Sequence, residues 1–202
     1  MQPVLGETTN MTKTATQVLS THGRAAEWLR QGAIIVSASL FVALCARVSL
    51  PLPFTPVPLT LQNFAVLVVG MMLGSRRGFA ALALYLIEGA SGMPVFSPTG
   101  PGGMLTLLGP SGGFLMAYPL VAGLAGWITE RGKMSFARAA GAGVLAEIVL
   151  FAAGIGWLVV LTHSFSQAVR FGLYAFVFAE VIKVMLAAAI AQGQRRIHQA
   201  LP

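Results

Sequence analysis

Three long stretches of the chain contain no Asp, Glu, Lys or Arg, and this feature limits the possible folds more than any other. The stretches cover residues 48–75, 89–129 and 148–169. A bilayer crossing needs about 20 mainly apolar residues, so stretches of this length indicate membrane helices. Only 9% of the residues are charged, against roughly 25% in ordinary soluble domains, and the mean hydropathy is +0.78. These values exclude a soluble enzyme and a disordered chain, so we expect most of the protein to be surrounded by lipid.

Two clusters of Pro and Gly, at residues 51–58 and 92–113, divide the apolar sequence. Irregular backbone is tolerated at membrane depth only where protein or a cavity covers it, so we expect the loops 51–58 and 92–111 to fold down onto the bundle and cap a pocket. The predicted fold is an all-α membrane protein with six transmembrane helices. Their expected ranges are 33–50, 59–74, 78–91, 112–130, 138–162 and 168–193.

The basic residues predict the orientation of this bundle. The connection between the fifth and sixth helices contains only Arg170, and the Pro- and Gly-rich loops contain no Lys or Arg. By the positive-inside rule both termini lie in the cytoplasm and these loops face outward. We therefore expect a cytoplasmic extension at 1–31, a transmembrane domain at 32–194 and a cytoplasmic tail at 195–202. Ten basic residues fall on the predicted cytoplasmic side: Lys13, Arg24, Arg30, Arg76, Arg77, Arg131, Lys133, Arg138, Arg195 and Arg196.

The same basic residues are spread too thinly to predict a nucleic-acid surface, although the net charge is +7. A different interpretation of the N-terminus is a secretory signal, with Arg24 and Arg30 before an apolar run and Cys45 as a lipid attachment site. Leu44 argues against this alternative, since such a signal needs a small residue there, and five more helices follow.

No motif predicts catalysis, a metal or a cofactor bound by this chain. The glycine runs 100–103 and 109–113 are not followed by Lys-Ser or Lys-Thr, so they do not match phosphate-binding loops. Cys45 is the only cysteine and the three histidines are scattered, which gives no metal-ligand spacing. Without a nucleophile–base pair, a membrane enzyme is the weakest interpretation.

Four ionisable residues are expected to be buried within predicted helices, where a charge costs about 3 kcal/mol and usually faces the bundle interior. Glu180 and Lys183 are three residues apart, so they share a helix face and can pair. A structural ion pair and a ligand site both remain open for them. Glu147 is either a third polar contact or a protonated, hydrogen-bonded carboxyl. Arg47, near a helix end, is expected to reach the membrane interface.

Small and aromatic residues add two further predictions. Ser39 and Ala43 have the spacing of small residues that permits close helix contact, either inside the bundle or with another membrane subunit. Aromatic residues near the predicted outer face are expected to anchor at the interface or to line a pocket. They are Phe54, Phe96, Phe114, Trp157 and Tyr174.

Motifs between residues 51 and 114 resemble those of a known family. They are PLPFTPVPLTLQN at 51–63, Gly74 with Arg77-Gly78, GMPVF at 92–96, and Gly102-Gly103 leading into LGPSGGF at 108–114. In order and spacing the chain resembles the BioY biotin transporters, the substrate-capture subunits of energy-coupling factor (ECF) transporters. The resemblance covers about residues 33–193.

This resemblance implies a protein of the bacterial cytoplasmic membrane that binds biotin in an outward-facing pocket under the first and third loops. It implies that Glu180 and Lys183 contact the vitamin. We also expect Glu147, Gly102, Gly103 and Phe114 to contribute to the ligand site. The resemblance also implies that the first helix, through Ser39 and Ala43, packs against a transmembrane coupling subunit. That subunit carries two ATPases, so ATP is used by the partners alone.

The chain departs from the family pattern at several pocket positions. Glu180 stands where Asp is usual, and Pro101 and Glu147 stand where Asn is expected. The segment 176–179 also lacks the usual Pro and Gly. Two alternatives remain open: capture of another vitamin or small carboxylate, and a non-transporting scaffold in which Glu180 and Lys183 form a dry ion pair.

Overall fold

The long apolar segments form α-helices, because a helix satisfies its backbone hydrogen bonds internally where water is absent. The computed structural model describes residues 4–133, 135–174 and 176–200, and side-chain surroundings within 26–194 apart from 134 and 175. The helices are α1 (Val4–Arg47), α2 (Gln62–Leu73), α3 (Ser75–Ala90), α4 (Gly103–Leu108), α5 (Gly112–Glu130), α6 (Phe136–Thr162), α7 (Phe165–Val169) and α8 (Val177–Ala200).

Three short elements complete the described chain. The strands β1 (Ser49–Leu50) and β2 (Leu59–Thr60) pair antiparallel, with Ser49 opposite Thr60. A π-helical turn over Arg170–Tyr174 separates α7 from α8.

Within the described residues, four helical segments are long and apolar enough to cross a membrane. The prediction of a mainly helical membrane protein is therefore confirmed. The apolar helix α2 is shorter, with 12 residues, and α3 has 16. The four candidate spans are Ala26–Arg47, Gly112–Glu130, Phe136–Thr162 and Val177–Gln194.

The predicted helix bounds agree best where strong breakers flank a helix. The range 112–130 coincides with α5, and 138–162 corresponds to α6. The predicted start at 59 was wrong, because Leu59 and Thr60 pair with β1 and the helix begins only at Gln62. The single helix predicted at 168–193 was also wrong, since the π-helical turn interrupts it.

The N-terminal helix continues through the predicted domain boundary at residue 31, because α1 begins at Val4. Residues 1–3, 201 and 202, and the side chains of 1–25 and 195–202, lie outside the described residues. The division into an extension, a transmembrane domain and a tail stays a prediction.

Glycines bring α2, α3 and α5 into backbone contact. A Cβ on Gly70 of α2 would lie 2.4 Å from the carbonyl oxygen of Ala122 on α5. A Cβ on Gly126 of α5 would lie 2.5 Å from the backbone nitrogen of Ser75. Glu130 Oε1 accepts a hydrogen bond from that same nitrogen at 3.1 Å, which caps the start of α3. The three helices therefore form a tightly packed centre on which the other helices rest.

Candidate ligand-binding site

A cavity of about 270 Å³ lies beneath both Pro- and Gly-rich loops and above the middle of the bundle. The loop between β1 and β2 and the loop between α3 and α4 form one side, while α2, α5, α6 and α8 form the remainder. Its lining residues are Pro51, Leu52, Thr55, Pro56, Val57, Pro58, Thr60, Gln62, Asn63, Ser97, Thr99, Gly100, Pro101, Thr106, Gly109, Pro110, Ser111, Phe114, Leu115, Tyr118, Leu150, Phe151, Phe176 and Glu180.

Four side chains form a buried hydrogen-bonded network at one end of this cavity. Asn63 Nδ2 on α2 donates to Glu147 Oε1 on α6 at 2.6 Å and to Glu180 Oε2 on α8 at 2.7 Å. Lys183 Nζ donates to Glu180 Oε1 at 2.7 Å. All four residues are at most 8% exposed. The network therefore joins three helices and places one ammonium beside two carboxyl groups in a site that excludes water.

Two oxygen atoms of the network have no partner in the described part of the chain. Asn63 Oδ1 and Glu147 Oε2 are buried without a hydrogen-bond partner among the residues that the structure describes. A buried polar atom left unpaired costs free energy, so these positions favour a neighbouring donor. Glu180, which lines the cavity, offers carboxylate oxygens that suit a ligand carrying N–H groups.

Another part of the cavity wall is apolar and aromatic. Phe114 and Phe151 meet edge to face, with ring centroids 6.4 Å apart. Phe114 is seated against Gly154 of α6, where a Cβ would lie 2.2 Å from the ring. Phe176 and Leu150 extend this wall. Such a surface suits an apolar ring or chain on the ligand.

Hydrogen bonds hold the first loop over the cavity. The hydroxyl of Thr55 donates to the carbonyl oxygen of Phe171, in the π-helical turn, at 2.8 Å. Ser97 Oγ, in the second loop, donates to Ser49 Oγ at 2.7 Å and lies 2.8 Å from Thr99 Oγ1. The two loops are thus tied to each other and to the segment before α8.

A second set of contacts anchors the loop between α3 and α4 to α3 itself. Tyr85 donates its hydroxyl to the carbonyl oxygen of Val95 at 2.9 Å and accepts from Gln62 Nε2 at 2.8 Å. Phe96 stacks edge to face on Tyr85, with centroids 5.4 Å apart. Because Tyr85 is fully buried, this loop is fixed at its base.

The structure brings the predicted ligand residues together only in part. Glu180 and Phe114 line the cavity. Lys183 and Glu147 are not among the described lining residues, and they reach it through Glu180 and Asn63. Gly102 and Gly103 are not among the described lining residues either. Their φ angles of +77° and +58° form the turn into α4.

The residues predicted for a partner interface lie mainly inside the bundle. Ser39 is fully buried, and its hydroxyl donates to Glu88 Oε2 on α3. Ala43 is partly buried against the core. The exposed face of α1 instead presents the small residues Ala33 and Ser37. The structure therefore places Ser39 away from any surface that a partner could reach, whereas docking through α1 stays a prediction.

Sequence reasoning missed Asn63, the residue that connects both carboxyl groups. Asn63 carries no charge, so it does not stand out among the ionisable residues of the apolar segments. A usable signal existed, because Gln62 and Asn63 are adjacent amides at the start of an otherwise apolar segment. Buried amides in such a segment need partners, which indicates a polar site.

The described residues contain no group of three or more His, Cys, Asp or Glu that could hold a metal ion. The buried network of the site thus consists of an amide, two carboxyl groups and an ammonium, which can act by hydrogen bonds and charge.

The comparison with known proteins identifies the family. The model of the BioY family matches residues 11–201. The chain belongs to the BioY family. The biotin transporter BioY of Thermotoga maritima is 38% identical over 166 residues, which cover 81% of this chain and 96% of that protein.

Other members of the BioY family show similar agreement. The probable biotin transporter BioY of Pyrococcus horikoshii is 34% identical, over 76% of this chain and 91% of that protein. The biotin transporter BioY of Rhizobium etli is 33% identical, over 77% of this chain and 87% of that protein. These relatives are transporters, in agreement with the expectation that the chain is not an enzyme.

A solved structure has the same fold. The S-component for biotin from an ECF-type ABC transporter matches with a TM-score of 0.76 and 22% identity. The match covers 85% of this chain and 93% of that chain. The BioY-family chain therefore has an S-component fold.

Proposed function

We propose that the protein binds biotin in the cavity beneath the two loops and serves as the substrate-capture subunit of an ECF transporter. The observation that carries this proposal is the buried Asn63–Glu180–Lys183 network at the end of an aromatic-walled cavity. Membership of a family whose named relatives are biotin transporters supports the same ligand.

The chemistry of biotin fits the two ends of the cavity. Its ureido group carries two N–H donors, which suit the carboxylate oxygens of Glu180 at the polar end. Its apolar ring and tail suit the wall that contains Phe114 and Phe151. A volume of about 270 Å³ is near the lower end for small-molecule pockets, roughly 300 Å³, which favours a compact ligand.

The arrangement of charges favours one orientation of the ligand. Within the described part of the chain, none of the residues lining the cavity is a Lys or Arg, and the ammonium of Lys183 is bonded to Glu180. The ligand carboxylate therefore points away from the network, towards the hydroxyl-rich loops that contain Thr55, Ser97 and Thr99. Lys183 supports binding by holding Glu180 in place.

The proposal includes a membrane topology and partner subunits, because transport requires both. The protein crosses the bacterial cytoplasmic membrane six times, with α2 and α3 as short crossings, both termini in the cytoplasm and the two loops outside. The sequence contains no nucleotide-binding motif, so the energy comes from separate ATPase subunits joined through a membrane coupling subunit. Biotin is the transported ligand, and the chain itself binds no cofactor.

Calorimetry with biotin on the purified protein tests this function. Glu180→Gln and Lys183→Ala are each expected to weaken binding at least tenfold, because both remove a charged partner from the network. Lys133→Ala is the matched control, since Lys133 is exposed and is not among the described residues that line the cavity. A wild-type protein that does not bind biotin, or network variants that bind like wild type, would overturn the proposal.

The two alternatives predict different results in the same assay. Capture of another vitamin predicts that this vitamin displaces biotin and binds more tightly. A scaffold predicts no saturable binding by any small carboxylate. The cavity next to Glu180 favours capture over a scaffold, because a purely structural ion pair needs no adjoining space.

A further inference from the structure

We propose that Tyr118 is a specificity-determining residue of the cavity, whose hydroxyl donates a hydrogen bond to a carbonyl oxygen of the ligand. This inference rests on the proposed function and extends it to the ligand groups that the polar end recognises. The ligand class that it selects carries a carbonyl oxygen next to N–H groups, as an amide or a urea does.

Tyr118 belongs to the wall of the cavity. It lies on α5, one helical turn after Phe114 and Leu115, and all three residues line the cavity. Tyr118 is 5% exposed, and it does not line the two shallow grooves that the structure describes on the outer side of α5. The accessible surface that Tyr118 keeps therefore opens into the cavity.

The hydroxyl of Tyr118 has no hydrogen-bond partner among the residues that the structure describes. It is nevertheless not enclosed, because the described side-chain atoms that lack both a partner and accessible surface are three others: Asn63 Oδ1, Thr106 Oγ1 and Glu147 Oε2. Buried tyrosine hydroxyls usually have a partner, and Tyr85 makes two such hydrogen bonds. The free hydroxyl of Tyr118 is therefore available to a molecule in the cavity.

Tyr118 adds a donor to the end of the cavity that holds the acceptors. The carboxyl groups of Glu180 and Glu147 lie close enough to act electrostatically on its hydroxyl. Glu180 is paired with Lys183, so its carboxylate only accepts hydrogen bonds, whereas a tyrosine hydroxyl has a hydrogen to donate. A ligand whose N–H groups meet Glu180 can thus place the adjoining carbonyl oxygen on Tyr118.

A pair of ligands that differ only in this oxygen isolates the contribution of Tyr118. The pair is biotin and its thiourea analogue, in which sulfur replaces the ureido oxygen and both N–H groups remain. Sulfur is a weak acceptor, so the analogue gains little from the hydroxyl. The larger sulfur atom affects wild type and variants alike. A change in the ratio of the two affinities therefore reports the hydrogen bond to the oxygen.

The experiment compares wild type with Tyr118→Phe, which removes the hydroxyl and keeps the ring. Affinities are measured by competition with labelled biotin. Tyr118→Phe is expected to weaken biotin about fivefold, as for the loss of one neutral hydrogen bond, and to weaken the analogue less than about twofold. The unfolding temperature of the ligand-free protein is expected not to fall, because the hydroxyl has no partner in the described structure.

Two other tyrosines provide the controls. Tyr174 is exposed and is not among the described residues that line the cavity, so Tyr174→Phe is expected to bind both ligands like wild type. Tyr85→Phe shows how a structural hydroxyl behaves. It loses the hydrogen bonds to Val95 and Gln62 and is expected to lower the unfolding temperature before any ligand is added.

The remaining outcomes distinguish this inference from the proposed function. Equal weakening of both ligands by Tyr118→Phe, or a lower unfolding temperature of the ligand-free variant, would assign the hydroxyl a structural role and overturn the inference. Wild-type binding of biotin by Tyr118→Phe would overturn the inference and leave the proposed function intact. A wild-type protein that binds no biotin would overturn the proposed function and, with it, this inference.

Discussion

The hydroxyl of Thr55 donates a hydrogen bond of 2.8 Å to the carbonyl oxygen of Phe171, across 116 positions of sequence. The same oxygen atom of Thr55 accepts from the backbone nitrogen of Val57 at 3.2 Å. Thr55 is 8% exposed, so water competes little for either bond. One side chain thus closes the first loop on itself and ties it to the π-helical turn before α8.

Removing this contact is expected to speed the exchange of ligand. Thr55→Val keeps the shape of the side chain but loses both hydrogen bonds of the hydroxyl. The bond to Phe171, which ties the loop down, is worth about 1 kcal/mol, and its loss corresponds to roughly fivefold faster biotin dissociation. Stopped-flow displacement of labelled biotin measures this rate. Thr162→Val is the matched control, because Thr162 donates within its own helix to Leu158. An unchanged dissociation rate in Thr55→Val would contradict the role of this bond.

The packing of Phe96 against Gly89 predicts that a substitution at Gly89 lowers protein stability. Phe96 is 3% exposed, and a Cβ on Gly89 would lie 2.0 Å from its Cζ atom. Gly89→Ala therefore displaces the ring from Tyr85 and is expected to lower the free energy of unfolding by about 1–3 kcal/mol. Gly156→Ala provides the control, since nothing lies within 4 Å of the added Cβ. Thermal unfolding in detergent measures the stability of both variants. Equal unfolding midpoints for Gly89→Ala and Gly156→Ala would contradict the close packing of Phe96 on Gly89.

Substitutions in the buried ion pair are expected to affect the stability of the protein and its binding of biotin in different ways. Lys183→Ala leaves the carboxylate of Glu180 without its charged partner, which typically costs about 3–5 kcal/mol. Replacing both residues by Lys183→Met and Glu180→Leu removes both charges and is expected to recover most of this loss. Biotin binding should stay lost in the double variant. Recovery of binding together with stability would contradict a direct role for Glu180.

The two faces of α1 predict opposite outcomes for two serine substitutions. Ser39→Leu is expected to lower the unfolding temperature, because Ser39 is fully buried and bonded to Glu88. Ser37→Leu is expected to keep the wild-type temperature, because Ser37 is exposed, and to reduce co-purification with the coupling subunit. Unfolding scans and affinity pull-downs of the assembled transporter measure the two effects. Normal assembly of Ser37→Leu would exclude this face from the interface.

The parts of the site that depend on local spacing could be predicted from the sequence. Glu180 and Lys183 are three residues apart, so a helix alone brings them together, and the structure shows their ion pair at 2.7 Å. Helix α5 was predicted with its observed bounds, because glycines precede it and Arg131 follows it. The ion pair and the bounds of α5 both depend on residues that are close together in the sequence.

The remaining features depend on contacts between distant segments. Asn63 meets Glu147 and Glu180 across 84 and 117 positions of sequence, which no local pattern encodes. The spacing of Ser39 and Ala43 indicates a close helix contact but does not specify which helix is the neighbour. The interruption before α8 had only Gly172 as a signal, and a Cβ there would lie 2.9 Å from Leu158.

The network of Asn63, Glu147 and Glu180 spans α2, α6 and α8, so ligand affinity and the relative positions of these helices form one thermodynamic system. A ligand that binds the connected arrangement more tightly also resists separation of the helices, by the same factor. A coupling partner that pulls α2 away from α8 must therefore weaken the hold on the ligand to that extent. On the proposed function, binding and release of the ligand would then depend on the same three side chains.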